Sequence, residues 1–91
     1  MTLVELIALN QERYNKILVM ERPEDITSLA ASDMTSFETY TDMNLVDNKH
    51  FTKEAKDYFL LEKDGLKDLI FMDDPYLENF QDDDKVLVII I

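Results

Sequence analysis

Lys85-Val86-Leu87-Val88-Ile89-Ile90-Ile91 is the stretch whose reading decides the fold. Six aliphatic residues follow the lysine, and five of them are β-branched. Such residues fit the pleated surface of a sheet. A half-buried strand alternates apolar with polar side chains, and this run does not. It must therefore be covered on both faces or paired into an interface. As an open edge it would seed aggregation. It is also far short of the roughly 20 apolar residues that span a bilayer.

Immediately upstream lies the densest run of charge. Asp73, Asp74 and Glu78 are followed by Asp82-Asp83-Asp84. Asp74-Pro75 starts a turn or a short helix through Phe80. Tyr76 and Phe80 are four residues apart, so on a helix they share a face and flank Glu78.

Further upstream, Tyr58-Phe59-Leu60-Leu61 and Leu66 to Met72 are two apolar runs separated by a segment containing Asp64-Gly65. Asp-Gly between apolar runs predicts a hairpin, because a tight turn needs positive φ and glycine supplies it. The helical alternative uses Gly65 as a C-cap and leaves Leu66–Met72 as a short helix of poor periodicity. The hairpin, at about 57–72, is the preferred reading.

The N-terminal half reads as helical. Thr2 with Glu5 three residues on forms a capping box. Leu3, Leu6, Ile7, Tyr14, Ile17 and Leu18 recur at helical spacing and predict a helix over 2–21, ended by Arg22-Pro23. Residues 23–46 read as one kinked helix or two, starting at Pro23 with Glu24 and Asp25 in the first turn. Asp33 interrupts the apolar face there, and Thr35 with Glu38 offers a second capping box. Residues 47–56 read as a loop with at most one helical turn. The resulting fold class is α+β: N-terminal helices packed on a small antiparallel sheet made of the hairpin about 57–72 plus the C-terminal strand 85–91. Residues 1–91 are read as a single acidic domain.

Composition narrows the function. The net charge is -11, with one His, one Gly and no Cys. One glycine excludes phosphate-cradling loops, and a lone His50 in a Lys-His-Phe loop supports no nucleophilic triad. The expectation is a binding protein and not an enzyme, with no cofactor. The N-terminus carries no basic region before an apolar stretch, so it does not read as a signal peptide. Absence of Cys fits a reducing cytoplasm. The excess of acid repels nucleic acid and anionic membranes and favours a basic protein as partner. Oxygen-rich loops bind Ca²⁺ or Mg²⁺, but the ligand spacing and central Gly of an EF-hand loop are missing, so no metal site is assigned.

The charge is uneven. Residues 1–20 sum to 0 and residues 53–72 to -1, whereas 21–52 and 73–91 carry -5 each. The expected partner-binding surface is therefore acidic: Asp73, Asp74, Glu78, Asp82, Asp83 and Asp84, with Glu38 and Asp42 from the other excess. Tyr76 and Phe80 are its expected aromatic anchors, since aromatic residues ringed by polar groups suit interface cores. Tyr40 beside Asp42 is a weaker pair of the same kind.

The expected activity is inhibition. An array of carboxylates can occupy a groove built for a nucleic-acid backbone, as a phage or mobile-element inhibitor of a host nuclease or defence system would. The alternative is an immunity- or antitoxin-like protein, or a structural interaction module. The last would use the apolar C-terminal strand, as a homodimer joined by strand pairing.

Overall fold

A computed structural model describes residues 1–91, the side chain of Met43 apart. The architecture is α+β. Helix α1 spans Leu3–Leu9, followed by strands β1 (Lys16–Glu21), β2 (Ser36–Tyr40) and β3 (Asp57–Leu61). Helices α2 (Lys63–Asp68) and α3 (Asp74–Leu77) come next, and β4 (Val86–Ile90) closes the sequence of elements. The sheet is four-stranded and mixed, in the order β2-β1-β4-β3. β1 runs parallel to β4, with Leu18 opposite Val88. β2 and β3 flank this pair antiparallel to their neighbours.

β4 sits at the centre because its sequence permits nothing else. All five of its residues are buried. Alternation then divides β1 and β4 between two cores. Leu18, Met20, Val86, Val88 and Ile90 face Leu66, Ile70, Leu77 and Phe80 from the α2–α3 side. Ile17, Val19, Leu87 and Ile89 face Leu3, Leu6 and Ile7 of α1. Paired central strands buried on both faces read as continuous apolar runs, which is what both sequences are. Each buried aliphatic side chain contributes roughly 1.5–3 kcal/mol, so these two strands dominate the fold.

Several sequence expectations are corrected here. The capping box exists: Thr2 Oγ1 accepts from the Glu5 amide, and Glu5 Oε1 accepts from the Thr2 amide at 3.0 Å. The helix it starts, however, stops at Leu9 and does not run to residue 21. Asn10 donates from its side chain to the Leu6 carbonyl at 2.8 Å, which occupies a terminal acceptor of the helix. Glu12 then takes a left-handed conformation, φ 70°. Residues 16–21 form β1 because pairing with β4 satisfies their backbone and puts their alternating side chains into the two cores, one under α1 and one under α2–α3. Arg22-Pro23 ends a strand, not a helix.

Residues 23–46 contain no α-helix. They form an extended connection, a 3-10 turn at Ala31–Asp33, the edge strand β2 and a second 3-10 turn at Met43–Leu45. The Ser and Thr residues there favour such local turns over helix; Ser28 Oγ accepts from the Ala30 amide at 3.0 Å. Thr35 and Glu38 do not form a second capping box, because β2 starts between them.

The hairpin is also overturned. Its first arm is real and is β3, but Asp64-Gly65 lies inside α2 and Leu66–Met72 is not a strand. Gly65 does not adopt positive φ. Its role is close packing: a Cβ there would lie 3.0 Å from Leu61 Cδ2. The sheet is consequently not the small antiparallel one expected, and helices cover both of its faces. Asp74-Pro75 does start a short helix, with Pro at the first turn. The C-terminal strand has both of its edges paired within the chain, so it offers no edge to a second copy. Among the described residues no helix is long and apolar enough to cross a membrane.

Candidate partner-binding surface

Most acidic residues fall into two groups that sequence does not separate; Glu12, Glu24, Asp25 and Asp33 lie outside both, exposed and without an ion pair among the described residues. In the first group each carboxylate is engaged. Glu5 caps α1. Asp57 pairs with Arg22 at 3.2 Å, and Glu62 pairs with Lys85. Glu21 and Glu54 meet Lys53 and the N-terminal ammonium. Asp47 accepts from the Lys49 amide, and Asp42 accepts from the Asn44 amide at 2.9 Å.

Asp84 is the extreme member, 5% exposed. Its Oδ2 receives Lys16 Nζ at 2.6 Å and the Gln81 amide at 2.8 Å, and its Oδ1 receives Asn15 Nδ2 at 2.7 Å. These bonds hold its carboxyl down at about 2, with the Lys16 contact the largest cause. Asp84 was expected on the acidic surface; it is instead a bolt between β1 and the entry to β4.

Glu38 is a second departure. It lies on the α1 face of the sheet, away from α3. Its carboxylate accepts from Tyr40 Oη and sits 3.3 Å from His50 Nε2. The Tyr40 bond is the main reason its pKa is lowered. Burial first, and Glu38 second, push Tyr40 up to about 12. His50 is buried and its Nδ1 has no partner among the described residues. This cluster ties β2 to the 3-10 turn at Asn48–His50.

The second group of acids is open. Asp73 precedes α3, Asp74 begins it and Glu78 ends it; Asp82 and Asp83 follow in an exposed turn. Among the described residues none of these five has a basic group within 4 Å. Asp74, Glu78 and Asp82 line one wall of a cleft of about 350 Å³ between α2 and α3, with Lys63 and Lys67 also lining it. Asp64 and Asp68 of α2 are exposed and unpaired in the same way. Leu77 and Phe80 of this segment are buried in the core beneath it.

The two expected aromatic anchors separate. Phe80 is 3% exposed and belongs to the core, with Lys16 Nζ 5.5 Å from its ring centroid. It pins the acidic segment to the sheet and is not available to a partner. Tyr76 is 44% exposed and packs edge-on against Phe37, ring centroids 4.5 Å apart. Tyr40 faces the α1 core and forms no pair with Asp42 in this surface.

Sequence reading did not single out Phe71, Phe37 and Met34, which join Tyr76 and Asp73 around a second cleft of about 240 Å³. Phe71 was assigned to a hairpin arm, and nothing in its local pattern marks it as exposed. Among the described residues no three His, Asp or Glu side chains converge as they would around a metal ion. Comparison with protein-family models, with curated proteins and with solved structures gives no match.

Proposed function

We propose that this chain is an acidic inhibitor that docks its α2–α3 side onto the nucleic-acid-binding surface of a basic protein, of the kind a phage or mobile element directs at a host nuclease or defence system. One observation carries the reading. Within residues 73–83, Asp73, Asp74, Glu78, Asp82 and Asp83 all stand exposed, and among the described residues none has a basic group within 4 Å; the other unpaired acids are not gathered so densely. Like charges held close destabilise a fold through self-repulsion and steer association with an oppositely charged partner. A carboxylate and a phosphodiester each carry one negative charge. Asp74 and Glu78 are four residues apart across α3, about 5–6 Å between Cβ atoms at helical spacing, so they present neighbouring anions to a groove that tracks a phosphate backbone.

The test is competition. Labelled duplex DNA is bound to purified defence nucleases, and its displacement is followed by fluorescence anisotropy across a salt series. The parent displaces DNA from its target, and the effect weakens as the Debye length shrinks. The variant Asp73→Asn/Asp74→Asn/Glu78→Gln/Asp82→Asn/Asp83→Asn competes roughly tenfold or more weakly. A neutralised variant as potent as the parent sinks the proposal.

A further inference from the structure

We infer that the cleft between the Ala31–Asp33 turn and the Phe71–Tyr76 segment receives an arginine side chain of the basic partner. This rests on the docking proposed above and names the group that the docking surface recognises.

Phe71 is the starting point. Its φ is 53°, in the left-handed region, and its side chain is 64% exposed. The left-handed step is needed by the fold. It turns the chain after α2 so that the Met72 amide reaches the Leu66 carbonyl at 3.2 Å, while the Ile70 carbonyl accepts from the Ala31 amide at 2.7 Å. The ring is not needed for that. Glycine or asparagine makes such a step at little cost, whereas an L-residue with a bulky side chain pays about 1–2 kcal/mol there. Burial does not repay the cost either, because most of the ring is in solvent. A strained backbone bearing an exposed aromatic side chain is the kind of outlier from which a binding role can be argued.

The surroundings specify the ligand. Phe71, Phe37 and Tyr76 line the cleft with Met34 and Ala31, and Asp73 is the charged residue among them. The edge-on contact of Phe37 with Tyr76 fixes the relative setting of two of the three rings. Among the described residues no Lys, Arg or His lines this cleft. The other two clefts are different: Lys63 and Lys67 line one, and Arg22, Lys53 and Lys56 line the other. Of these three clefts, this one brings aromatic side chains and a carboxylate together without a resident cation among the described residues.

Ring faces carry negative electrostatic potential and attract cations, arginine most often. An apolar side chain would bury Asp73 without a partner. A nucleobase would bring phosphates against the surrounding acids. A guanidinium is planar and weakly hydrated, stacks on rings and can donate to a carboxylate at its edge. A lysine ammonium offers the charge without the stacking plane.

The experiment titrates the full chain with three blocked peptides at low ionic strength: Gly-Ser-Arg-Ser-Gly, its lysine counterpart and its citrulline counterpart. The ring resonances of Phe37, Phe71 and Tyr76 are followed by NMR. The arginine peptide is expected to move all three rings and saturate, and the uncharged citrulline peptide to bind at least roughly fivefold more weakly. Phe71→Gly keeps or raises the melting temperature, because glycine relieves the left-handed strain, and weakens the arginine peptide roughly threefold to fivefold. Phe71→Asn serves as a second variant with the same backbone tolerance. Binding that is equal in parent and Phe71→Gly, with the rings unmoved, overturns the cleft and leaves acidic docking standing. A lysine peptide that binds as well as the arginine peptide overturns the assignment to arginine. No shift with either cationic peptide overturns the cleft, whereas the docking reading falls only if the competition with DNA fails.

Discussion

Asp84 and its neighbours Asp82 and Asp83 belong to one acidic run and to two different regions of the molecule. Asp84 is buried where β1 and β4 begin, with Lys16, Asn15 and the Gln81 amide filling its oxygens. Asp82 and Asp83 project from the turn beside α3 and form no ion pair among the described residues. The difference teaches that a charge run is not one feature. One carboxylate joins strands that are distant in sequence, and two are left over as surface. The same division separates the Lys16–Asp84 region, which has structural work, from the α2–α3 side, where the fold has no use for the charge.

The comparison breaks most visibly at Asp84. Asp84→Ala strands Lys16, Asn15 Nδ2 and the Gln81 amide in a poorly solvated place, and is expected to cost about 3 kcal/mol. Urea unfolding checks this, and a loss below about 1 kcal/mol would show that solvent replaces the network. A double-mutant cycle with Lys16→Met and Asp84→Asn then isolates the pair. The expected coupling is about 1–2 kcal/mol, because both groups lie in one network.

Acid sharpens the same contrast. The Asp84 carboxyl is held at about 2, below its ordinary 3.8, so the unfolded chain takes up the proton first. The stability this contributes is therefore present above the unfolded value and is lost as pH falls through the folded value. Parent protein should lose more stability than Asp84→Asn over that window, as read by melting temperature against pH. Parallel curves would remove Asp84 as the titrating group. The smallest effect belongs to the open region. Asp82→Asn and Asp83→Asn should each change stability by no more than about 0.5 kcal/mol, with a slight gain as self-repulsion eases. A larger loss in either would mean that the turn depends on its charges.

How much of this was legible beforehand varies by element. The capping box at Thr2 and Glu5 and the helix start at Asp74-Pro75 are local chemistry, and both stand. The strand character of Tyr58–Leu61 was read correctly, but its supposed partner was not. Asp-Gly signals a turn only where the backbone takes positive φ, and Gly65 instead supplies a helix position without a Cβ against Leu61. Among the residues expected at the surface, Asp73, Asp74, Glu78, Asp82, Asp83 and Tyr76 are exposed. Asp84, Glu38 and Phe80 were drawn into other work by partners that include His50, 12 residues from Glu38, and Lys16, 68 residues from Asp84.

Sequence by itself determined that Val86–Ile91 must be covered on both faces, because no register of an unbroken apolar run can face water. It also determined that the excess charge is concentrated in particular segments. Only the tertiary structure decided that Lys16–Glu21 is a strand. Tyr14, Ile17 and Leu18 satisfy helical spacing as well as Ile17–Met20 satisfy a buried strand, and the parallel partner that pairs with their backbone lies some seventy residues away. The same long-range pairing brought Lys16 to Asp84 and so chose which aspartate became structure and which remained open surface.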